Sequence, residues 1–371
     1  MKIGLVTFHR AENYGALLQC IALYTYIKNK GYDIEIIDYR SDAVESPYNI
    51  YPKVENNPIK YLSSSFFSFI NKKKLEERKE EFNKVRRLLK HSESVNSETI
   101  ENLDYDVYIS GSDQLWNTEI THGFDNAYLL NFKTNGIKAT YAMSIGNCNN
   151  PDYKKEFFIN AVKNFDFISM REKDAVNFIS EISERNDIDF VIDPTLLLSK
   201  DEWDKLIGNE KKHKIPERYI LLYYVKYDKN LERMADAVSR EYGIPVVYIN
   251  SNPRRPILYK FRNKVFKMSF VGPLDFVSLI KNASCVVTNS FHGTAFSCIY
   301  NKDIFMLLPE GTGSRLESIA NVFGIQNRIF KSYDVFLEEY KDCSIDYHFD
   351  KFDALKIKSE KYISRLLDKS R

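Results

Sequence analysis

A histidine set among small hydroxyl residues marks Val287-Thr288-Asn289-Ser290-Phe291-His292-Gly293-Thr294-Ala295, where a strand-like run passes into an apolar helical one. Imidazole is the usual proton shuttle in enzymes, and a helix start offers amide donors and positive potential to an anion. His292 is therefore the candidate general acid and Ser290 a candidate anion contact. A lone histidine is more often a core residue bonded to a carbonyl, but the Ser, Gly and Thr around this one favour chemistry. Downstream, Arg315 in Glu310-Gly311-Thr312-Gly313-Ser314-Arg315-Leu316 stands at another helix start, as a second anion contact or as a first-turn surface residue.

A second polar group, Gly111-Ser112-Asp113-Gln114-Leu115-Trp116-Asn117, follows the strand-like run Tyr105–Ser110. Ser112, Asp113, Gln114 and Asn117 offer donors and acceptors to hydroxyls, and Trp116 offers an apolar face to a sugar ring. Asp113 is the candidate base for an incoming hydroxyl. The competing structural reading is a capped turn with Trp116 as a core plug. Arg171, in Ser169-Met170-Arg171-Glu172-Lys173-Asp174, also lies where a strand meets a helix, and a guanidinium there suits bidentate capture of carboxylate or phosphate. Its alternative is a surface ion pair. Asn13 and Gly15, in His9-Arg10-Ala11-Glu12-Asn13-Tyr14-Gly15-Ala16, read equally well as ligand contacts or as an N-cap and close helix packing. That junction has one glycine and is neither a dinucleotide nor a Walker fingerprint. Asp193-Pro194-Thr195 reads as a strand end.

These groups share a setting, because strand-like and helix-like runs alternate along the whole chain, the pattern of βα units around parallel sheets. The first unit is a strand from Lys2, a helix over Asn13–Lys30 closed by a left-handed Gly31, and a strand over Asp33–Asp38. Further strands are expected at 138–143, 165–170, 189–192, 219–224, 245–249, 285–288 and 304–308. In such sheets, loops at the C-terminal strand ends line the ligand crevice. The fold class expected is α/β with two Rossmann-like domains, an N-terminal one over 1–210 on the acceptor side and a C-terminal one over 211–371 on the donor side. The polar stretch Asn209–Glu217 marks the boundary, and the C-terminal helix is expected to pack back on the first domain. Residues 41–102 break the alternation and read as a helical insertion in the N-terminal domain. There an aromatic cluster (Phe66, Phe67, Phe69) precedes a cationic run, the pattern of a peripheral membrane contact. Glu76, Glu77, Glu80 and Glu81 nearly cancel those cations, so a solvated helix packed on the first domain is preferred. A basic run, Arg254-Arg255 through Lys267, fits an anionic substrate or a surface loop.

Composition narrows the partners. The 371 residues carry 53 Lys+Arg against 51 Asp+Glu, a net charge of +2, which disfavours a nucleic-acid binder held by phosphate contacts. No apolar run is long enough to span a membrane, and Met1–Phe8 is too short for a secretory signal, so the expected location is cytoplasmic, with the inner membrane face as an option. Cys20, Cys148, Cys285, Cys298 and Cys343 are odd in number and form no CxxC pair, so they read as reduced packing thiols with no metal site.

Taken together, the Asn13-Tyr14-Gly15-Ala16 junction, the GSDQ-x-WN element, Arg171-Glu172, Asp193-Pro194 and Ser290-Phe291-His292-Gly293 with Arg315 resemble the polysaccharide pyruvyl transferase family, over residues 1 to about 325. The resemblance implies a fold of the GT-B type and transfer of a pyruvyl group from phosphoenolpyruvate to one or a pair of sugar hydroxyls. It implies no cofactor beyond phosphoenolpyruvate as donor substrate, and a glycan or lipid-linked saccharide as acceptor. By motif, Arg171 and His292 match the residues that handle phosphoenolpyruvate in the family, with Arg315 a looser match. Members with Arg-Leu-His ahead of this helix have Ser-Phe-His here, and Ser290 cannot supply a guanidinium. The alternatives are a nucleotide-sugar glycosyltransferase of GT-B type and a non-catalytic glycan-binding subunit.

Overall fold

The structure is a computed structural model describing residues 1–51, 58–146, 148–208, 213–250, 259–308, 313–341 and 343–369, with backbone alone at 59 and 60. Arg254 and Arg255 of the basic run, Glu310-Gly311-Thr312 and residues 209–212 lie outside the described residues. The chain divides into two compact units. The first comprises Met1–Asn49, Asn83–Leu198 and Asp353–Arg371; the second comprises Ile50–Phe82 and Ser199–Phe352. Residues 50–82, inside the segment read as a first-domain insertion, thus group with the second unit. The later division falls at Leu198/Ser199 because the helix Lys200–Ile207, opened by a Ser199/Glu202 capping box, plants Trp203 edge-on to Phe296 of the second unit.

The first unit is built on seven parallel strands: β1 (Lys2–Val6), β2 (Asp33–Tyr39), β3 (His91–Val95), β4 (Val107–Asp113), β5 (Ile137–Met143), β6 (Ile168–Met170) and β7 (Ile188–Phe190). Their spatial order is β3-β2-β1-β4-β5-β6-β7, so the chain reverses direction across the sheet between β1 and β4. The second unit holds β8 (Ile220–Tyr223), β9 (Val246–Ile249), β10 (Val265–Met268), β11 (Cys285–Thr288), β12 (Asp303–Leu307) and β13 (Ile329–Phe330), in the order β10-β9-β8-β11-β12-β13. This repeats the topology, with its reversal between β8 and β11. Both are doubly wound sheets, whose ligand crevice lies outside the carboxyl ends of the strands at the reversal point.

The central strands are apolar because helices cover both faces. Ile3, Leu5, Val6, Val107 and Ile109 are buried in the first sheet, and Ile220, Leu222, Val246, Val286 and Val287 in the second. The helix Tyr14–Asn29 begins at Asn13, whose side chain accepts from Ala16 N at 3.2 Å, and is followed by Gly31 at φ +87°. Part of the C-terminal helix Asp350–Asp368 belongs to the first unit, where the Tyr362 hydroxyl donates to Thr140 O at 2.6 Å and Ser359 Oγ accepts from Ile192 N at 3.0 Å. No helix among the described residues is long and apolar enough to cross a membrane.

Candidate functional site

In the second unit, β11 ends at Thr288 and the helix Phe291–Ile299 begins at once. Ser290 is its N-cap: Ser290 Oγ accepts from Gly293 N at 3.1 Å, and Thr288 Oγ1 accepts from Ser290 N at 3.0 Å. Gly293 is required by proximity, since a Cβ there would stand 2.8 Å from Thr288 Oγ1. Ser290 and Gly293 are thus accounted for by the turn, and Ser290 is buried. As an anion contact Ser290 would have only its hydroxyl proton to offer. His292, in the first turn, is partly exposed, with its ring edge-on to Phe291 at 5.2 Å. Asn289 ties this loop across the reversal point: its Oδ1 accepts from Val225 N at 3.1 Å and its Nδ2 donates to Lys226 O at 2.8 Å, both just beyond β8. The sequence reading did not single out Asn289. Arg315 follows the neighbouring strand β12, in the first turn of the helix Ser314–Phe323, which packs against Phe291–Ile299. The structure therefore places His292 and Arg315 on the same C-terminal sheet edge, each beside a helix start.

In the first unit, the seven-residue polar group divides by role. Trp116 is 1% exposed, donates Nε1–H to Tyr128 O at 3.2 Å and meets Phe158 edge-on at 5.5 Å. A ring so enclosed presents no face to a sugar, which corrects the platform reading: Trp116 is the core plug. Ser112 is also buried, donating to Ala142 O at 3.0 Å. Asn117 Nδ2 donates to Gln114 Oε1 at 2.9 Å, and Asn117 Oδ1 caps the next helical turn through Glu119 N at 3.0 Å. Asn13 is likewise an N-cap, and Gly15 is buried in the helix it opens, so for both the structural alternative is the observed one. Asp113 is different. It ends β4 at φ +74°, a left-handed conformation that non-glycine residues adopt at a cost, and its side chain is partly exposed at the crevice edge.

Arg171 directly follows β6 but is 3% exposed and already engaged. Its Nη1 donates to Asp193 Oδ2 at 2.7 Å, its Nε to Glu172 Oε1 at 3.2 Å, and its Nη2 lies 3.8 Å from Asp113 Oδ1. Burial opposes its charge, but Glu172, Asp193 and Asp113 outweigh burial and hold the guanidinium protonated. One cation among three carboxylates leaves an electronegative cluster, so the guanidinium is set to hold Asp113 and Asp193 in place instead of receiving an incoming dianion. Asp193 is completed by Thr195, whose N and Oγ1 donate to Oδ1 at 2.9 and 2.7 Å.

A further cluster was invisible in the sequence. Asp38, at the end of β2, takes Arg10 Nε and Nη2 at 2.7 and 2.6 Å and His9 Nε2 at 3.0 Å. Burial opposes the Asp38 charge, yet His9, Arg10 and Ser94 pull its carboxyl far below the usual range. Arg86 threads the loop after β1, donating to the carbonyls of His9, Arg10 and Ala11 at 2.9, 2.9 and 3.1 Å, with burial lowering it to about 10. His9, Asp38 and His91 are a grouping of metal-ligand type. Arg10 occupies both Asp38 oxygens, so its chemistry fits a guanidinium better than a metal ion. Arg10 stands in the first βα junction and Arg86 in the charged insertion 41–102, and neither position announces the partners it meets.

Solved structures with the same architecture include the UDP-GlcNAc 2-epimerase from Methanocaldococcus jannaschii, 13% identical over 99% of each chain with a TM-score of 0.55. Another is the UDP-N-acetylglucosamine 2-epimerase from Rickettsia bellii, 13% identical over 99% of this chain and 96% of that one, at 0.52. The UDP complex of MnaA from S. aureus is 14% identical over 92% and 87%, at 0.53. At such identity the likeness is one of fold, and it defines an α/β protein of two parallel-sheet domains with GT-B-like neighbours. No curated protein matches the sequence. The model of the family described as polysaccharide pyruvyl transferase matches residues 13–308. The chain belongs to the polysaccharide pyruvyl transferase family, and so to a family of transferases.

Proposed function

We propose that this protein transfers a pyruvyl group from phosphoenolpyruvate to sugar hydroxyls of a glycan or lipid-linked saccharide, forming a ketal. The observation that carries the reading is His292 in the first turn of a capped helix at the reversal point of the second sheet, on the same edge as Arg315. Phosphoenolpyruvate carries a phosphate and a carboxylate, which call for a cation and helix-terminal amides. Its activation needs a proton on the methylene carbon.

In this scheme His292 donates that proton to C3, leaving a cationic C2. A sugar hydroxyl bonds to C2 and gives up its proton, to Asp113 in this proposal. The C2–O bond to phosphate then breaks, the electron pair and a proton leaving as inorganic phosphate, and a second hydroxyl bonds to C2 and loses its proton to close the ketal. Arg315 and the amides at the helix start stabilise the donor's anionic groups, and Arg171 acts by positioning Asp113. The test is phosphate release from phosphoenolpyruvate with a panel of free and lipid-linked glycans, run beside UDP- and GDP-sugars. Acceptor-dependent phosphate release supports the reading, whereas turnover of a nucleotide sugar alone replaces it with glycosyl transfer.

A further inference from the structure

The helix Pro58–Ile70 turns four of its large apolar residues outward. Its inward side holds Ser68, fully buried, with Tyr61, Ser64, Ser65 and Phe67 partly buried. On the other side Leu62, Phe66, Phe69 and Ile70 are 65, 66, 72 and 62% exposed. At 3.6 residues per turn, these four positions fall within an arc of about 100°. The preferred expectation of a solvated packed helix describes the neighbouring helix Lys72–Arg86, which buries Leu75, Phe82 and Val85, but leaves the exposed stripe of Pro58–Ile70 without an account.

Scattered apolar residues on a surface need no explanation, but a contiguous stripe of two phenylalanines with Leu and Ile does. The charge around it selects the occupant. The helix contains no acidic residue, and Lys72, Lys73 and Lys74 follow directly, all exposed. Glu76, Glu77 and Glu80 come later on the next helix, the first of them 3.8 Å from Lys72. An apolar stripe with lysines at one end matches the boundary between acyl chains and anionic headgroups. A second copy of the chain would find no acid on this helix to meet those lysines. We propose that Pro58–Ile70 is a membrane-docking helix, seating Leu62, Phe66, Phe69 and Ile70 in the surface of an anionic bilayer with Lys72, Lys73 and Lys74 at the headgroups. The inference is independent of the donor chemistry.

The full chain is floated with vesicles of phosphatidylcholine alone and of phosphatidylcholine mixed with phosphatidylglycerol. Binding is expected to the anionic vesicles, weakening as salt is added. The double variant F66D/F69D should lose at least tenfold in binding with an unchanged melting temperature, because neither ring supports the core. F66S/F69S serves as the second apolar-face variant should the aspartates perturb folding. Replacing Lys72, Lys73 and Lys74 by Gln should weaken anionic-vesicle binding about fivefold per lysine. Wild-type protein that stays unbound with both vesicle types overturns the proposal, as does binding that survives both double variants. A dimer by light scattering that F66D/F69D makes monomeric, with no vesicle binding, also overturns it and assigns the face to self-association.

Discussion

Arg171 Nη1 and Asp193 Oδ2 stand 2.7 Å apart at the C-terminal ends of adjacent strands, and the same guanidinium also reaches Glu172 and Asp113. All four side chains are largely withdrawn from water. Removing the cation leaves like charges facing one another, at a cost of about 3–5 kcal/mol for a broken buried pair. Arg171→Ala should therefore be defective in stability first, measured by urea unfolding, with Asp193→Asn weaker but in the same direction. An Arg171→Ala protein of normal stability that has lost phosphoenolpyruvate binding returns the guanidinium to the donor.

His292 should fail differently, because the turn that holds it is built by Ser290, Thr288 and Gly293. His292→Ala should melt near the wild-type temperature and keep donor binding, measured by calorimetry, while phosphate release falls by about two to four powers of ten. Ser290→Ala is the contrasting variant. It should lose about 1 kcal/mol of stability with the cap and keep most of its rate per folded molecule.

Most of the parallel-sheet pattern could be read from sequence, and what escaped lies at sheet edges, where β13 is only two residues long. The unpredicted strands are β3, β10 and β13, each an edge of its sheet. Edge strands are not enclosed on both sides, so His-Ser-Glu-Ser-Val and Val-Phe-Lys-Met carry no continuous apolar run. The site was legible in position but less so in role. Residue type placed Asp113, Arg171 and His292 at strand ends, whereas burial decides that Trp116 is a plug and that Arg171 has its carboxylates already. Neither burial nor partner identity is written in local spacing. The Asp38 cluster depends on residues from three separate stretches of chain, so no motif announced it.

Asp38 gives the protein an acid-sensitive point. Its folded carboxyl is depressed, so its contribution is fully present above the ordinary carboxylate value of about 3.9 and is lost as pH falls below it. Asp38→Asn should cost roughly 2–3 kcal/mol at neutral pH, the scale of charged hydrogen bonds. It should also flatten the fall in urea midpoint below about pH 4, where the wild type and the variant converge. A variant whose acid limb is as steep as the wild type's assigns that sensitivity to other carboxylates.

Asp113→Asn keeps shape and removes the base. Transfer to glycan should slow by about two powers of ten or more, with phosphoenolpyruvate affinity unchanged. A lowered melting temperature with an unaltered rate at saturation would make Asp113 part of the scaffold, bound to Arg171.

The most direct measurement follows inorganic phosphate and glycan mass together, using the full chain, phosphoenolpyruvate and a panel of lipid-linked and free saccharides. The expected result is one phosphate released per glycan that gains the mass of pyruvic acid less one water, lost with His292→Ala. Glycans that gain a hexose from a UDP- or GDP-sugar, with phosphoenolpyruvate untouched across the panel, would contradict it.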